Sequence, residues 1–174
     1  AFVCATLGTT SSEAVDPIDK LTAAIDEVSA STSPRPWLHV DAAYTGAALV
    51  CPEHRHLAKG LDLAESFCFN PHKWLLTNFD CDTMFTSDAA GLTAALSITP
   101  EYLRNQASDD GAVIDYRDWH VPRGRKFRSL KLWMVLRHYG RDGLQAYIRN
   151  HVAIAASLEP RLARVPRFEL ADPR

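Results

Sequence analysis

Several things that this chain has little of narrow its function before any motif is read. No apolar run approaches the ~20 residues that a membrane-spanning helix needs, so no such span is expected. Neither sign of charge is in excess: 19 Lys and Arg stand against 21 Asp and Glu, a formal net charge of −2. That balance gives no electrostatic footing for nucleic acid or an anionic membrane surface. The four cysteines, Cys4, Cys51, Cys68 and Cys81, lie far apart without a Cys-x-x-Cys pair. Neither a zinc site nor a disulfide framework is therefore indicated, and reduced thiols in a cytoplasmic protein are the simplest expectation. Internal repeats and low-complexity segments are also missing.

What is present is ordinary in bulk. Over 174 residues, 47% are apolar and 23% charged, enough for one domain with a sizeable core. The chain opens without methionine inside an apolar run and closes on what reads as the start of a strand. It is expected to be an internal piece of a larger protein.

The pattern along the chain predicts an α/β fold. Ala1 to Leu7 is a short continuous apolar run ended by Gly8-Thr9-Thr10, as in a central parallel strand. Asp16 is placed to cap a following helix, with Pro17 in its first turn and Ile18, Leu21, Ile25 and Val28 forming one apolar face. Trp37 to Val40 reads as a second strand with Asp41 at its carboxyl end. Ser66 to Phe69 reads as a third, with Asn70 and Lys73 beyond it. Thr83 to Thr86 would follow a tight turn, which would let it run antiparallel. Ligands of open α/β sheets gather outside the carboxyl ends of strands, where Thr10, Asp41 and Lys73 all fall.

Ile98 to Lys126 is polar, rich in Asp, Arg, Gly and Pro, and too long for a plain connection. Ser129 to Tyr139 predicts an amphipathic helix carrying Leu130, Trp133, Met134 and Leu136, stopped by Gly140. Trp133 and Met134 read as helix packing. A second helical pattern runs from Asp142 until Pro160 should kink or end it.

A lysine beyond a strand is by itself a solvated surface residue, and an aspartate there a turn cap. Together, in His39-Val40-Asp41-Ala42-Ala43-Tyr44 and Asn70-Pro71-His72-Lys73-Trp74, they supply what pyridoxal phosphate (PLP) asks of a protein. The amine can form a Schiff base, and the carboxylate can hold the pyridinium proton. His54-Arg55-His56 has no carboxylate pattern around it and reads as surface loop, not as a metal site. Cys68 and Cys81 read as small core residues.

These strings resemble the aromatic L-amino-acid decarboxylases, group II PLP-dependent decarboxylases of fold type I. The resemblance rests on Ala5-Thr6-Leu7-Gly8-Thr9-Thr10-Ser11, on Trp37 to Tyr44, on Phe69 to Trp74 with Asn78-Phe79-Asp80-Cys81, on Arg125 to Lys131 and on Gly143 to Arg149. It implies part of the mixed, mostly parallel large-domain sheet with flanking helices over residues 1–140, with a mobile catalytic loop at about 98–126. Residues 141–174 would be a connecting helix and the start of the C-terminal domain.

The same resemblance implies roles. Lys73 would carry PLP, Asp41 would pair with the pyridine nitrogen and Ala43 would lie against the ring. Asn70, with Ser66, would help bind the phosphate. Thr10 would line the pocket and His72 would sit beside the cofactor. Asn70 before Pro71 is read as readily as a turn former. A phosphate-binding Ser-rich segment, a stacking histidine and substrate-pocket residues belong upstream of Ala1 in this family, and its enzymes are homodimers with shared active sites.

The implied reaction converts tyrosine, DOPA, tryptophan or phenylalanine to the amine and CO2, through a quinonoid protonated with the help of Tyr102. An aromatic aldehyde synthase of the same family is the nearest alternative, since it typically carries phenylalanine at the position of Tyr102. A non-catalytic relative kept for binding or dimerisation is the remote one. Gly124 matches a position that is glycine in indole-accepting plant relatives and serine in phenol-preferring ones, and its plainer reading is a loop glycine with positive φ.

Overall fold

The computed structural model describes residues 1–31, 34–98, 114–122, 124 and 126–167. Its centre is a four-stranded sheet in the order β1 (Phe2–Thr6), β2 (Trp37–Asp41), β3 (Ser66–Phe69), β4 (Thr83–Thr86). The first three strands are parallel, with Cys4 beside His39 and Asp41 beside Cys68. Parallel pairing of β1, β2 and β3 brings their carboxyl ends to one edge of the sheet.

Because side chains alternate across a strand, Ala5, Leu38 and Val40 point to one face. They are fully buried there with Ile18 and Ile25 of α1 (Ile18–Ser29). Two expectations for α1 need correction. Val28 is 57% exposed, and the buried Thr22 takes a place on the covered face. Asp16 does not cap the helix; its carboxylate accepts the Thr6 amide at 2.8 Å while its own amide donates to the Thr6 carbonyl at 2.9 Å. The acid thus ties the crossover back to the end of β1.

Between β2 and β3 the chain makes three short 3-10 helices, Thr45–Val50, Pro52–Ala58 and Leu61–Leu63. His54-Arg55-His56 belongs to the second of these, where the His56 ring contacts the Glu53 carbonyl at 2.8 Å. After β3 come α2 (Pro71–Trp74), β4 and α3 (Ala89–Leu96), the last capped by Asp88 accepting from the Gly91 amide at 2.7 Å. Small residues of low periodicity hid α3 from the sequence reading.

The final helix, α4 (Arg128–Leu162), is broken at Gly140, whose φ of 62° and ψ of −179° are open only to glycine. Leu132, Val135, Leu144, Tyr147 and Ile148 of α4 pack against Ala47, Ala48, Cys51 and Leu75. This corrects the predicted packing face: Leu130, Trp133, Met134 and Leu136 are exposed. Arg149 reinforces the docking with a two-pronged bond to Glu53 at 2.6 and 3.0 Å, and Gln145 Nε2 donates to the Val50 carbonyl at 2.8 Å.

The chain divides into two compact units, one of Ala1–Phe85 with Arg128–Arg174 and one of Thr86–Phe127. Among the described residues no helix is long and apolar enough to cross a membrane.

Candidate active site

Hydrogen bonds at the carboxyl ends of β1, β2 and β3 build one continuous floor. The Leu7 amide donates to the Asp41 carbonyl at 2.8 Å, and the Ala42 amide to the Cys68 carbonyl at 3.0 Å. One step further, the Asn70 amide donates to the Ala43 carbonyl at 3.0 Å, and the Lys73 amide to the Asn70 carbonyl at 2.9 Å. Asp41, Ala43, Asn70 and Lys73, spread over 33 positions of sequence, therefore share a single hydrogen-bonded frame.

The Asp41 side chain is half-buried, and its Oδ1 accepts the Ala43 amide at 2.9 Å. A second donor, the Cys68 thiol, lies 3.9 Å from the same oxygen. Burial, then the charges of Asp41 and Asp82, push the Cys68 thiol up to about 11, so it holds its proton at neutral pH. Asp82 is itself shifted upward by burial, with Asp41 adding to the shift and His72 opposing it.

Lys73 is exposed, and among the described residues its ammonium is in no ion pair. Asn70 precedes α2 without a side-chain cap bond, so its amide group is not spent on shaping the turn. Trp74 stacks on Tyr44 with ring centroids 4.8 Å apart and donates through Nε1 to His151 Nδ1 at 3.2 Å. This ties the carboxyl side of the lysine segment to β2's exit and to α4.

His72 Nδ1 lies 2.6 Å from the Cys81 carbonyl oxygen and 3.0 Å from the Cys81 amide nitrogen. One ring nitrogen cannot donate to the first and accept from the second at once. The Cys81 amide only donates and its carbonyl only accepts, so the tautomer of His72 decides which of the two contacts is the hydrogen bond. The ring is thereby clamped to the Asn78-Phe79-Asp80-Cys81 segment, and Asp80 is held in turn by Arg128 at 2.9 Å.

Thr10 lies on an exposed turn beyond β1, closed by Gly8 and Thr9 amides donating to the Ala14 carbonyl at 2.9 and 3.1 Å. Gly8 (φ +84°) sits where L side chains are strained, and a Cβ there would collide with Thr45 Oγ1. Ser66 is not brought to this end of the sheet. It is the first residue of β3, 4% exposed, and its hydroxyl is committed to Trp37 Nε1 and His39 Nδ1, each at 2.8 Å. Gly124 lies in the second compact unit, and among the described residues nothing stands within 4 Å of where a Cβ would be. Tyr102 lies outside the described residues.

Sequence reasoning passed over His39 and set Cys68 aside as core. Both share a sheet face with Asp41, a placement that the two-residue alternation of β2 and the β2–β3 register dictate.

The family model for the pyridoxal-dependent decarboxylase conserved domain matches residues 1–174. The chain belongs to that family. It is 51% identical over 173 residues to tyrosine decarboxylase 2 of Narcissus pseudonarcissus, covering 99% of this chain and 33% of that one. Phenylacetaldehyde synthase of Arabidopsis thaliana is also 51% identical, with 99% and 34% covered. The crystal structure of Oryza sativa TDC with PLP and tryptamine superimposes with a TM-score of 0.89 at 47% identity, covering 99% of this chain and 34% of that one. The fold is thus that of a PLP-dependent decarboxylase, and the chain spans about a third of the length of these relatives.

Proposed function

We propose that this chain carries the lysine half of the active site of a PLP-dependent decarboxylase acting on aromatic L-amino acids. The single observation that carries the proposal is the hydrogen-bonded frame joining Asp41, Ala43, Asn70 and Lys73. Its donor set fits the cofactor: an unpaired amine for the aldehyde, a fixed carboxylate for the pyridine nitrogen and a half-buried alanine that leaves room for a flat ring. PLP supplies an electron sink for the bond that breaks. Lys73 would hold it covalently, Asp41 would keep its ring nitrogen protonated, Asn70 would serve its phosphate, and His72 and Thr10 would border it. Ser66 has no place in that phosphate site.

Relatives of equal identity are a tyrosine decarboxylase and a phenylacetaldehyde synthase, so overall similarity does not separate amine from aldehyde as the product. Tyr102 favours the amine. A phenol can deliver a proton to the substrate's α-carbon after CO2 leaves, and a positioned general acid is worth ~10²–10⁴ in rate. Gly124 in place of a serine is consistent with a pocket that admits an indole.

On the same reading the chain divides near residue 140, with a catalytic loop at about 98–126 before it and the approach to the C-terminal domain after it. The protein would act as a cytoplasmic homodimer with shared active sites. The exposed Trp133, Met134 and Leu136 of α4 are the kind of apolar surface that a subunit interface covers.

The test is an assay of the full-length protein with PLP over tyrosine, DOPA, tryptophan and phenylalanine, reading amine, aldehyde and peroxide together. Amine as the main product is expected, and Tyr102→Phe should shift it towards aldehyde, ammonia and hydrogen peroxide. No turnover of any of the four would overturn the proposal.

A further inference from the structure

On the sheet face opposite α1, five side chains from β2 and β3 form one chain of contacts ending at Asp41. Trp37 Nε1 donates to Ser66 Oγ at 2.8 Å. Ser66 Oγ lies 2.8 Å from His39 Nδ1, His39 Nε2 lies 3.6 Å from Cys68 Sγ, and Cys68 Sγ lies 3.9 Å from Asp41 Oδ1. Parallel register sets the ladder: His39 sits beside Ser66 and Asp41 beside Cys68. Phe2 of β1 stacks on the His39 ring with centroids 6.1 Å apart, which limits its rotation.

Proton bookkeeping gives this chain a direction. An indole only donates, so Ser66 Oγ accepts from Trp37. The hydroxyl hydrogen of the buried Ser66 then goes to His39 Nδ1, leaving the imidazole proton on Nε2, aimed at the sulfur. The Cys68 thiol in turn points its proton at Asp41. With the Ala43 amide, Oδ1 receives two donors, whereas Oδ2 has none among the described residues.

We propose that His39 and Cys68 are positioning residues for Asp41: the Trp37–Ser66–His39–Cys68 chain fixes the rotation of its carboxylate, so that Oδ1 is held by protein and Oδ2 is presented to the pyridine nitrogen of the cofactor. The inference rests on the cofactor reading above. It also gives Ser66 a role remote from phosphate, as the link that sets the His39 tautomer. A cysteine suits the last link because its proton stays in place at neutral pH beside a carboxylate. Its long, weak contact orients the acid without neutralising it.

The experiment is titration of the full-length apoprotein with PLP, followed by the absorbance of the bound cofactor, for wild type, Cys68→Ala, Cys68→Ser, His39→Ala and the double variant His39→Ala/Cys68→Ala. Loss of one neutral hydrogen-bond link predicts a Kd for PLP raised roughly 3- to 10-fold in Cys68→Ala. Cys68→Ser, which keeps a donor, should return to within about twofold of wild type by the same reasoning. Because the residues act in series, the double variant should be little worse than the worse single one. Retained wild-type affinity and spectrum in both Cys68→Ala and His39→Ala would overturn the inference, as would Cys68→Ser binding as poorly as Cys68→Ala. Independent, fully additive losses would overturn the serial chain. A wild-type protein that binds no PLP would instead overturn the cofactor reading, and this inference with it.

Discussion

The carbonyl oxygen of Ala43 accepts the amide hydrogen of Asn70 at 3.0 Å, and this one bond joins the exit of β2 to the exit of β3. Ala43 also donates its own amide to Asp41 Oδ1 at 2.9 Å. The residue expected to lie against the cofactor ring is thus the bracket that sets the carboxylate on one side and the lysine turn on the other.

Replacing Asp41 should therefore damage chemistry more than folding. A carboxylate facing a pyridinium is a charge-assisted contact, and removal of one partner leaves the other uncompensated, at a cost of about 3–4 kcal/mol. Asp41→Ala in the full-length protein should lower turnover by about two to three orders of magnitude and weaken PLP binding, while Asp41→Glu retains part of both. Steady-state kinetics with a PLP titration checks this, and near wild-type turnover in Asp41→Ala would remove the assignment.

Cys68 should resist alkylation. Its thiol is raised from 9.0 to about 11 by burial and by the charges of Asp41 and Asp82, which leaves ~100-fold less thiolate near neutral pH than in an unperturbed thiol. Timed iodoacetamide labelling with peptide mass spectrometry should find Cys68 slow. Asp41→Asn, by deleting a neighbouring negative charge, should speed it. Cys68 labelling at the rate of a free thiol would contradict the prediction.

Much of the site was legible in the sequence because it depends on where strands end. Apolar runs bounded by polar residues gave β1, β2 and β3 within a residue, and parallel strands force Asp41 and Lys73 to one edge. The face of α4 was misread, since Trp133 and Met134 are as apolar as Leu132 and Val135, and only the position of the Thr45–Val50 turn decides which side is covered. Asp16 looked like a helix cap, yet the Thr6 amide competes for its carboxylate and wins. Ser66 was misplaced for a different reason: being near Asn70 in sequence puts it at the far end of a four-residue strand. His39 and Cys68 needed the β2–β3 register, which no single strand's pattern contains.

Acid should loosen the attachment of α4. The Arg149 guanidinium holds Glu53 at about 2, below its ordinary 4.5. A carboxylate depressed in the folded state contributes stability that is fully present above the unfolded value and lost as pH falls through the folded one. The window is thus about 4.5 down to about 2. Denaturation of full-length wild type and Glu53→Gln should differ at pH 5 and converge as pH falls towards 2. A difference that stayed constant across that range would show that the pair's charge is irrelevant.

Gly140 should tolerate no side chain, although space is not the obstacle, as among the described residues nothing lies within 4 Å of where a Cβ would stand. The obstacle is its φ of 62° with ψ near −179°. Gly140→Ala should cost about 1–3 kcal/mol of stability through backbone strain alone, seen as a lowered Tm with the PLP spectrum retained. An unchanged Tm would mean that the two halves of α4 join into a straight helix at little cost.

On the proposed reading Lys73 holds the cofactor, on the hydrogen-bonded sheet end that it shares with Asp41. Borohydride reduction of the full-length protein loaded with PLP, followed by peptide mapping, tests it most directly. The phosphopyridoxyl group is predicted on the peptide containing Asn70-Pro71-His72-Lys73-Trp74, at Lys73, and is predicted to disappear in Lys73→Ala. A stoichiometric adduct on any other lysine, or one that survives Lys73→Ala, would contradict the account.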